Sequence, residues 1–282
     1  MIELESPSLR VSVLDPLGHT ARFGSRYVTG GYIWQVTDHE LGPLLTGPAY
    51  PDPEPPPFDG QGAPEVFEIA LGQDRARVGE EVHVIGVGNV LRESANKPFH
   101  VRDNPTVTSR LDWRYTATPT TFHASTSAVF GDFGYALTRS VELEERTLVS
   151  TNVLANQGTA KLPVRWFAHP FFPFGGFSCC RLSLESALPE DAAFHQRHDG
   201  FIMRKPNVAW HSGHYCVPRV ALGGELGVEQ SHPALGAIDV ECRFPLGWLA
   251  LWSNDRTFSF EPFFQTILLP GAKARWSMRY RF

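Results

Sequence analysis

Cysteine is scarce in this chain. Four residues, Cys179, Cys180, Cys216 and Cys242, are spread over 282 positions, too few and too irregular for a disulfide framework. Cys179 and Cys180 are adjacent and would point to opposite faces of a strand; a reduced, cytoplasmic protein is expected. Runs of positive charge are also lacking. With 25 Lys+Arg against 30 Asp+Glu the formal charge is −5, and no basic stripe is present to meet a nucleic-acid backbone, so nucleic acid is not an expected partner. No window reaches the roughly 18 to 20 continuous apolar residues of a membrane span, and MIELESPSLRVSVLD at the start has no charged-then-apolar leader pattern. Helical periodicity is nearly missing. The best helical window, ALPEDAAFHQRH at 187–198, is short.

Strand patterning fills the space that helices leave. In ARWSMRYRF, Trp276, Met278, Tyr280 and Phe282 take one face and Arg275, Ser277, Arg279 and Arg281 the other, a strict period of two. Val141 and Leu143 lead into a polar Glu144-Glu145-Arg146 turn, and Leu148 begins the return, which predicts a hairpin. Further short strands are expected in LRVSVLD, YIWQV, EVHVIGV, TFHASTSAVF, LPVRWFAH, GELGVEQ, AIDVECRF, WLALWS and FFQTILL, punctuated by 25 glycines and 23 prolines. Residues 43–58, PLLTGPAYPDPEPPPF, are too rich in proline for a central strand and read as an extended surface loop. The 42 residues before it are too few for a separate domain, so residues 1–282 are read as one antiparallel all-β domain.

Two stretches carry chemistry. WFAHPFFPF, residues 166–174, sets His169 among five aromatic residues, with Pro170 and Pro173 stiffening the backbone. The run is either core or one wall of a sugar pocket, and a histidine there can exchange a proton at neutral pH. In FSFEPFFQTILLPG, Glu261 interrupts an apolar strand beside Phe260, Phe263 and Phe264. A carboxylate so placed faces water, pairs with an arginine, or serves as a base whose pKa the apolar setting lifts.

The His-Pro-aromatic-aromatic run, followed about 90 residues later by Glu-Pro, resembles the aldose 1-epimerase (galactose mutarotase-like) family. PEVFEIAL at 64–71, VHVIGVGNVLR at 82–92, GSRYVTGGYIWQVTD at 24–38 and the closing EPFFQTILLPGAKARWSMRYRF are similar to segments of that group, so the resemblance extends over most of the chain. It implies an antiparallel β-supersandwich, a small-molecule sugar substrate, no cofactor and no metal. It also implies roles: Glu261 removes the proton of the anomeric hydroxyl while His169 protonates the ring oxygen, the two facing one another across a cleft wide enough for a sugar ring. Ring opening, rotation about C1–C2 and closure with the roles exchanged would convert α and β anomers of a hexose or modified hexose.

The family's early His-Gly-Gly segment, with its second histidine, is absent; His100 in KPFHV is the nearest counterpart. Arg92 resembles the family arginine that donates to sugar hydroxyls, and Arg26 in GSRY is a candidate for a charged sugar such as a phosphate or uronic acid. The family's sugar-binding aspartate has no assigned counterpart; Asp199 and Asp239 are both open. Without the early histidine, a carbohydrate-binding protein on the same fold, lacking turnover, is the alternative. WHSGHYC and FHQRHDG hold histidine pairs without a clustered third ligand, and neither His-x-His nor Gly-x-Ser-x-Gly occurs, which argues against a cupin metal site and a serine hydrolase.

Overall fold

The computed structural model describes residues 1–282, and every strand pairing in it is antiparallel. A ten-stranded sheet runs in the order Arg114–Ala117, Thr121–Phe130, Phe133–Glu144, Thr147–Asn156, Lys273–Arg281, Gly236–Arg243, Leu226–His232, Ser178–Leu182, Phe201–Arg204 and Phe194–Gln196. A five-stranded sheet runs His214–Cys216, Leu246–Ser253, Phe258–Leu268, Leu162–Ala168 and Glu65–Phe67. The two are joined through interlocking aromatics. Trp166 and Phe264 of the smaller sheet meet Trp276 of the larger at 5.7 and 4.7 Å between ring centroids, and Phe67 adds a third contact at 6.0 Å. Such pairs add to the gain from burying their area. Two four-stranded sheets, built on residues 2–43 and 70–110, and a short pairing of Ser186–Ala187 with Arg219–Val220 complete the protein.

The expected strands form at nearly the expected places, since alternating apolar residues bury one face of each. The hairpin of Phe133–Glu144 with Thr147–Asn156 closes through Glu145 and Arg146, with Glu145 in the left-handed region at φ 52°. Helical structure is confined to three single 3-10 turns, and no helix is long and apolar enough to cross a membrane.

Helical structure is as scarce as expected, and two other expectations need correction. The window 187–198 is not a helix: Phe194 packs against Trp210 and Phe258, and the Phe194–Gln196 strand turns back through Asp199 and Gly200, φ 86°. Burial of Phe194 outweighs a weak local preference. The proline-rich segment is only partly a surface loop. Leu44 to Gly47 are buried, Thr46 donates from its backbone to the Phe171 carbonyl and from its hydroxyl to Thr257, and Pro48 and Phe58 reach the cavity described below. Finally, Cys179 and Cys180 do not divide between an inner and an outer face. The register shifts between Ser178 and Cys180, and both thiols are buried and free.

Candidate active site

Alternation resolves the aromatic run around His169 into two functions. Trp166, Ala168 and Phe172 belong to the core between the sheets, while Phe167, His169 and Phe171 line a cavity of about 370 Å³ on the opposite face. The same holds one strand away: Phe260 and Phe264 are core, Glu261 and Phe263 line the cavity. A strand's period of two makes one segment both core and wall.

Register sets the distance between the two ionisable groups. Phe167 pairs with Phe263, and Phe172 bridges to Phe258. Counting inward from either pair along antiparallel strands brings His169 opposite Glu261. The His169 Nε2 and Glu261 Oε1 atoms are 3.3 Å apart. They are therefore neighbours on the cavity floor, and the expectation that they face one another across a ring-sized gap is corrected. Directly opposed residues on one sheet face are close by construction.

His169 is held from several sides. Its backbone N–H donates to Pro64, its Nδ1 lies 2.8 Å from the Ser259 hydroxyl, and its ring packs on Phe171 at 4.3 Å. The pair is buried, 3% and 5% exposed for histidine and glutamate, so desolvation governs its charge. Burial pushes the Glu261 carboxyl up to about 7, against a smaller opposing pull from the Arg26 charge. Burial, with Arg26 second, holds His169 well below its ordinary value. The short contact alone would suit a carboxylate–imidazolium ion pair, but both displacements favour the neutral forms. In those forms the carboxyl is the acid of the pair and the imidazole the base.

Of the other expected residues, Arg26 and His100 line the cavity. His100 Nδ1 accepts from the Arg102 backbone N–H, and burial followed by the Arg26 charge lowers its pKa. Arg92 does not line the cavity. It is 3% exposed, and its guanidinium donates to the carbonyls of Ser94, Gln73 and Asn96 at 3.1, 2.6 and 3.1 Å. Its role is to fasten a loop. Asp199 and Asp239 pair with Arg197 and Arg281 and are not among the cavity residues. Sequence reasoning missed Ser259, Trp252, Tyr215, Phe58, Asp59 and Arg102. Ser259 was discoverable, because it lies two positions before Glu261 and so shares its face; the others reach the cavity from strands and loops whose pairing is not local. No group of three or more His, Cys, Asp or Glu side chains is arranged to hold a metal ion.

No protein-family model matches the chain, and no curated protein matches it in sequence. Solved structures do match it in shape along nearly its whole length. A provisionally assigned aldose 1-epimerase from Escherichia coli K12 superposes with a TM-score of 0.58 at 18% identity, covering 99% of this chain and 97% of that one. A galactose mutarotase-like protein from Lactobacillus casei ATCC 334 gives 0.57 at 13% identity, covering 100% and 99%. A galactose mutarotase related enzyme from Lactobacillus acidophilus gives 0.61 at 13% identity, covering 100% and 97%. At such identities the likeness concerns the fold, and the fold of this chain is the galactose mutarotase-like antiparallel β-sandwich.

Proposed function

We propose that the chain interconverts the α and β anomers of an aldose by general acid and base catalysis, with His169 and Glu261 as the two catalytic groups. The observation that carries this reading is their 3.3 Å contact at the bottom of a cavity. In a cyclic hemiacetal the ring oxygen and the anomeric hydroxyl are bonded to the same carbon. An acid and a base serving them must sit side by side, with the sugar lying over the pair. Trp252, Phe167, Phe171 and Phe263 line the same cavity and offer apolar faces to the C–H groups of such a ring.

The proton count supports the same reaction. From the neutral pair, Glu261 donates to the ring oxygen while His169 accepts the anomeric hydroxyl proton; the C1–O5 bond breaks and a C1 carbonyl forms. Rotation about C1–C2 presents the other carbonyl face. The ring hydroxyl then attacks, its proton returns to Glu261, and His169 returns the proton to the new anomeric oxygen. Burial favours this starting order, the reverse of the one expected from the sequence; closure exchanges the roles in either case. Each such transfer contributes typically about 10²- to 10⁴-fold.

Saturation-transfer NMR on a panel of aldoses, supported by polarimetry, tests the proposal. Exchange above the buffer rate is expected for the intact protein, falling at least about 100-fold in His169→Ala and in Glu261→Ala. Acceleration that survives both substitutions removes the assignment. Saturable sugar binding with exchange no faster than buffer would instead indicate a carbohydrate-binding protein on this fold.

A further inference from the structure

The mouth of the cavity carries a feature that anomer exchange of a neutral sugar does not use. Arg26 and Arg102 both line it, and both guanidiniums lie against the ring of Phe58, their Cζ atoms 4.5 and 4.6 Å from its centroid. Neither takes part in any ion pair of the molecule. Arg26 donates one hydrogen bond, to the Phe58 carbonyl at 3.1 Å. Besides Glu261, two carboxylate residues line the cavity. Glu68 is engaged by Arg165 at 3.2 Å, while Asp59 pairs with neither arginine and stays open to hydroxyls.

Two cations gathered on one aromatic ring repel each other, and cation–π contact offsets that repulsion only in part. Their remaining N–H donors point to an acceptor from outside the protein. Guanidinium groups fork onto phosphate and carboxylate oxygens with paired, charge-assisted hydrogen bonds. The order along the cavity is also visible. Arg26 is half-buried, whereas Arg102 is exposed. Arg102 is therefore the outer of the two.

We infer that the substrate is an acidic aldose, its phosphate or carboxylate carried at the end remote from C1 and held by Arg26 and Arg102 while the anomeric centre lies on His169 and Glu261. The inference rests on the site being a sugar site, but it concerns binding and can fail or hold separately from turnover.

Calorimetry with 1,5-anhydroglucitol 6-phosphate and 1,5-anhydroglucitol, which cannot ring-open, reads binding alone. NMR anomer exchange with glucose 6-phosphate, glucuronate and glucose reads turnover and separates the phosphate source from the carboxylate one. The intact protein is expected to bind the phosphorylated anhydro sugar at least about tenfold more tightly than the neutral one, or to show the same preference in kcat/KM for glucuronate over glucose. Added salt should shrink that advantage. Arg102 is exposed, so Arg102→Gln keeps the fold and should cut the advantage about tenfold; Arg26→Lys should lower it while leaving a charge in place. Equal or stronger handling of the neutral sugars, or an advantage unchanged in Arg102→Gln, overturns the inference even if mutarotation is found. Tight charged-ligand binding without exchange of any aldose upholds it and removes the catalytic reading instead.

Discussion

A buried acid and a buried imidazole in contact make a pH-sensitive unit, and the direction of each dependence follows from burial. Above about 7 Glu261 loses the proton, His169 stays neutral, and the proposed reaction is left without its acid. Well below the ordinary histidine range His169 also becomes protonated, and the proposed reaction is left without its base. Activity should form a bell whose alkaline limb falls near pH 7, to be read from kcat/KM against pH. Stability carries the same signs. The folded-state pKa of Glu261 lies above its ordinary 4.5, so its contribution is complete below pH 4.5 and is lost as pH rises through about 7. For His169 the folded value is depressed, so its contribution is complete above about 6.5 and is lost as pH falls. Replacing Glu261 by glutamine removes the first dependence and leaves the second. Urea unfolding across pH 4.5 to 8 should show Glu261→Gln gaining on the native protein by roughly 3 kcal/mol at the alkaline end; parallel curves would mean that Glu261 is not held in a protonated form.

The element that aims these groups is the short segment 62–67 at the edge of the five-stranded sheet. Its Gly62 and Pro64 carbonyls accept from Phe171 and His169, and its Glu65 carbonyl accepts from Val28, two residues past Arg26. Gly62 has φ 79°, and a Cβ there would collide with the Ile33 and Trp34 carbonyls; only glycine lets the chains approach so closely. Beneath the segment the Glu65 carboxylate is tied to Arg139 at 2.6 Å, to Ser150 and Asn152 at 2.5 and 2.7 Å, and to Trp166 at 3.0 Å. A buried ion pair gives less net stability than its contacts suggest, yet removing one partner strands the other's charge. Arg139→Met should therefore cost about 3–5 kcal/mol, and adding Glu65→Leu to it should restore a good part of that loss. Chemical denaturation of the two single variants and the double variant measures the coupling. A simple sum of the single losses would mean that the network does not act as a unit.

At the scale of the molecule, what could be read from the sequence is what is local. Period-two alternation located the strands, and the polar break at Glu144–Arg146 located the hairpin, because burial of one face acts on neighbouring residues. The contact of His169 with Glu261 was not legible in the same way. Both residues could be singled out by their aromatic surroundings, but their separation depends on the register of strands nearly a hundred residues apart. Arg92 misled for the converse reason: an arginine on a strand end looks the same whether its donors meet a ligand or three loop carbonyls. The topology makes one long-range element decisive. Lys273–Arg281, the last strand in sequence, lies inside the ten-stranded sheet between Thr147–Asn156 and Gly236–Arg243, and its Trp276, Met278 and Tyr280 are buried against the smaller sheet's core. Ending the chain at Pro270 would leave two interior strands with open edges and empty the centre of the sandwich. No remaining segment can substitute, since a strand there must carry large apolar residues at every second position. The shortened chain should lose its near-ultraviolet circular dichroism and the cooperative urea transition, and associate through the exposed edges in analytical ultracentrifugation. A monomer with a native-like transition would show that the two halves of the large sheet fold independently and that this strand merely joins them.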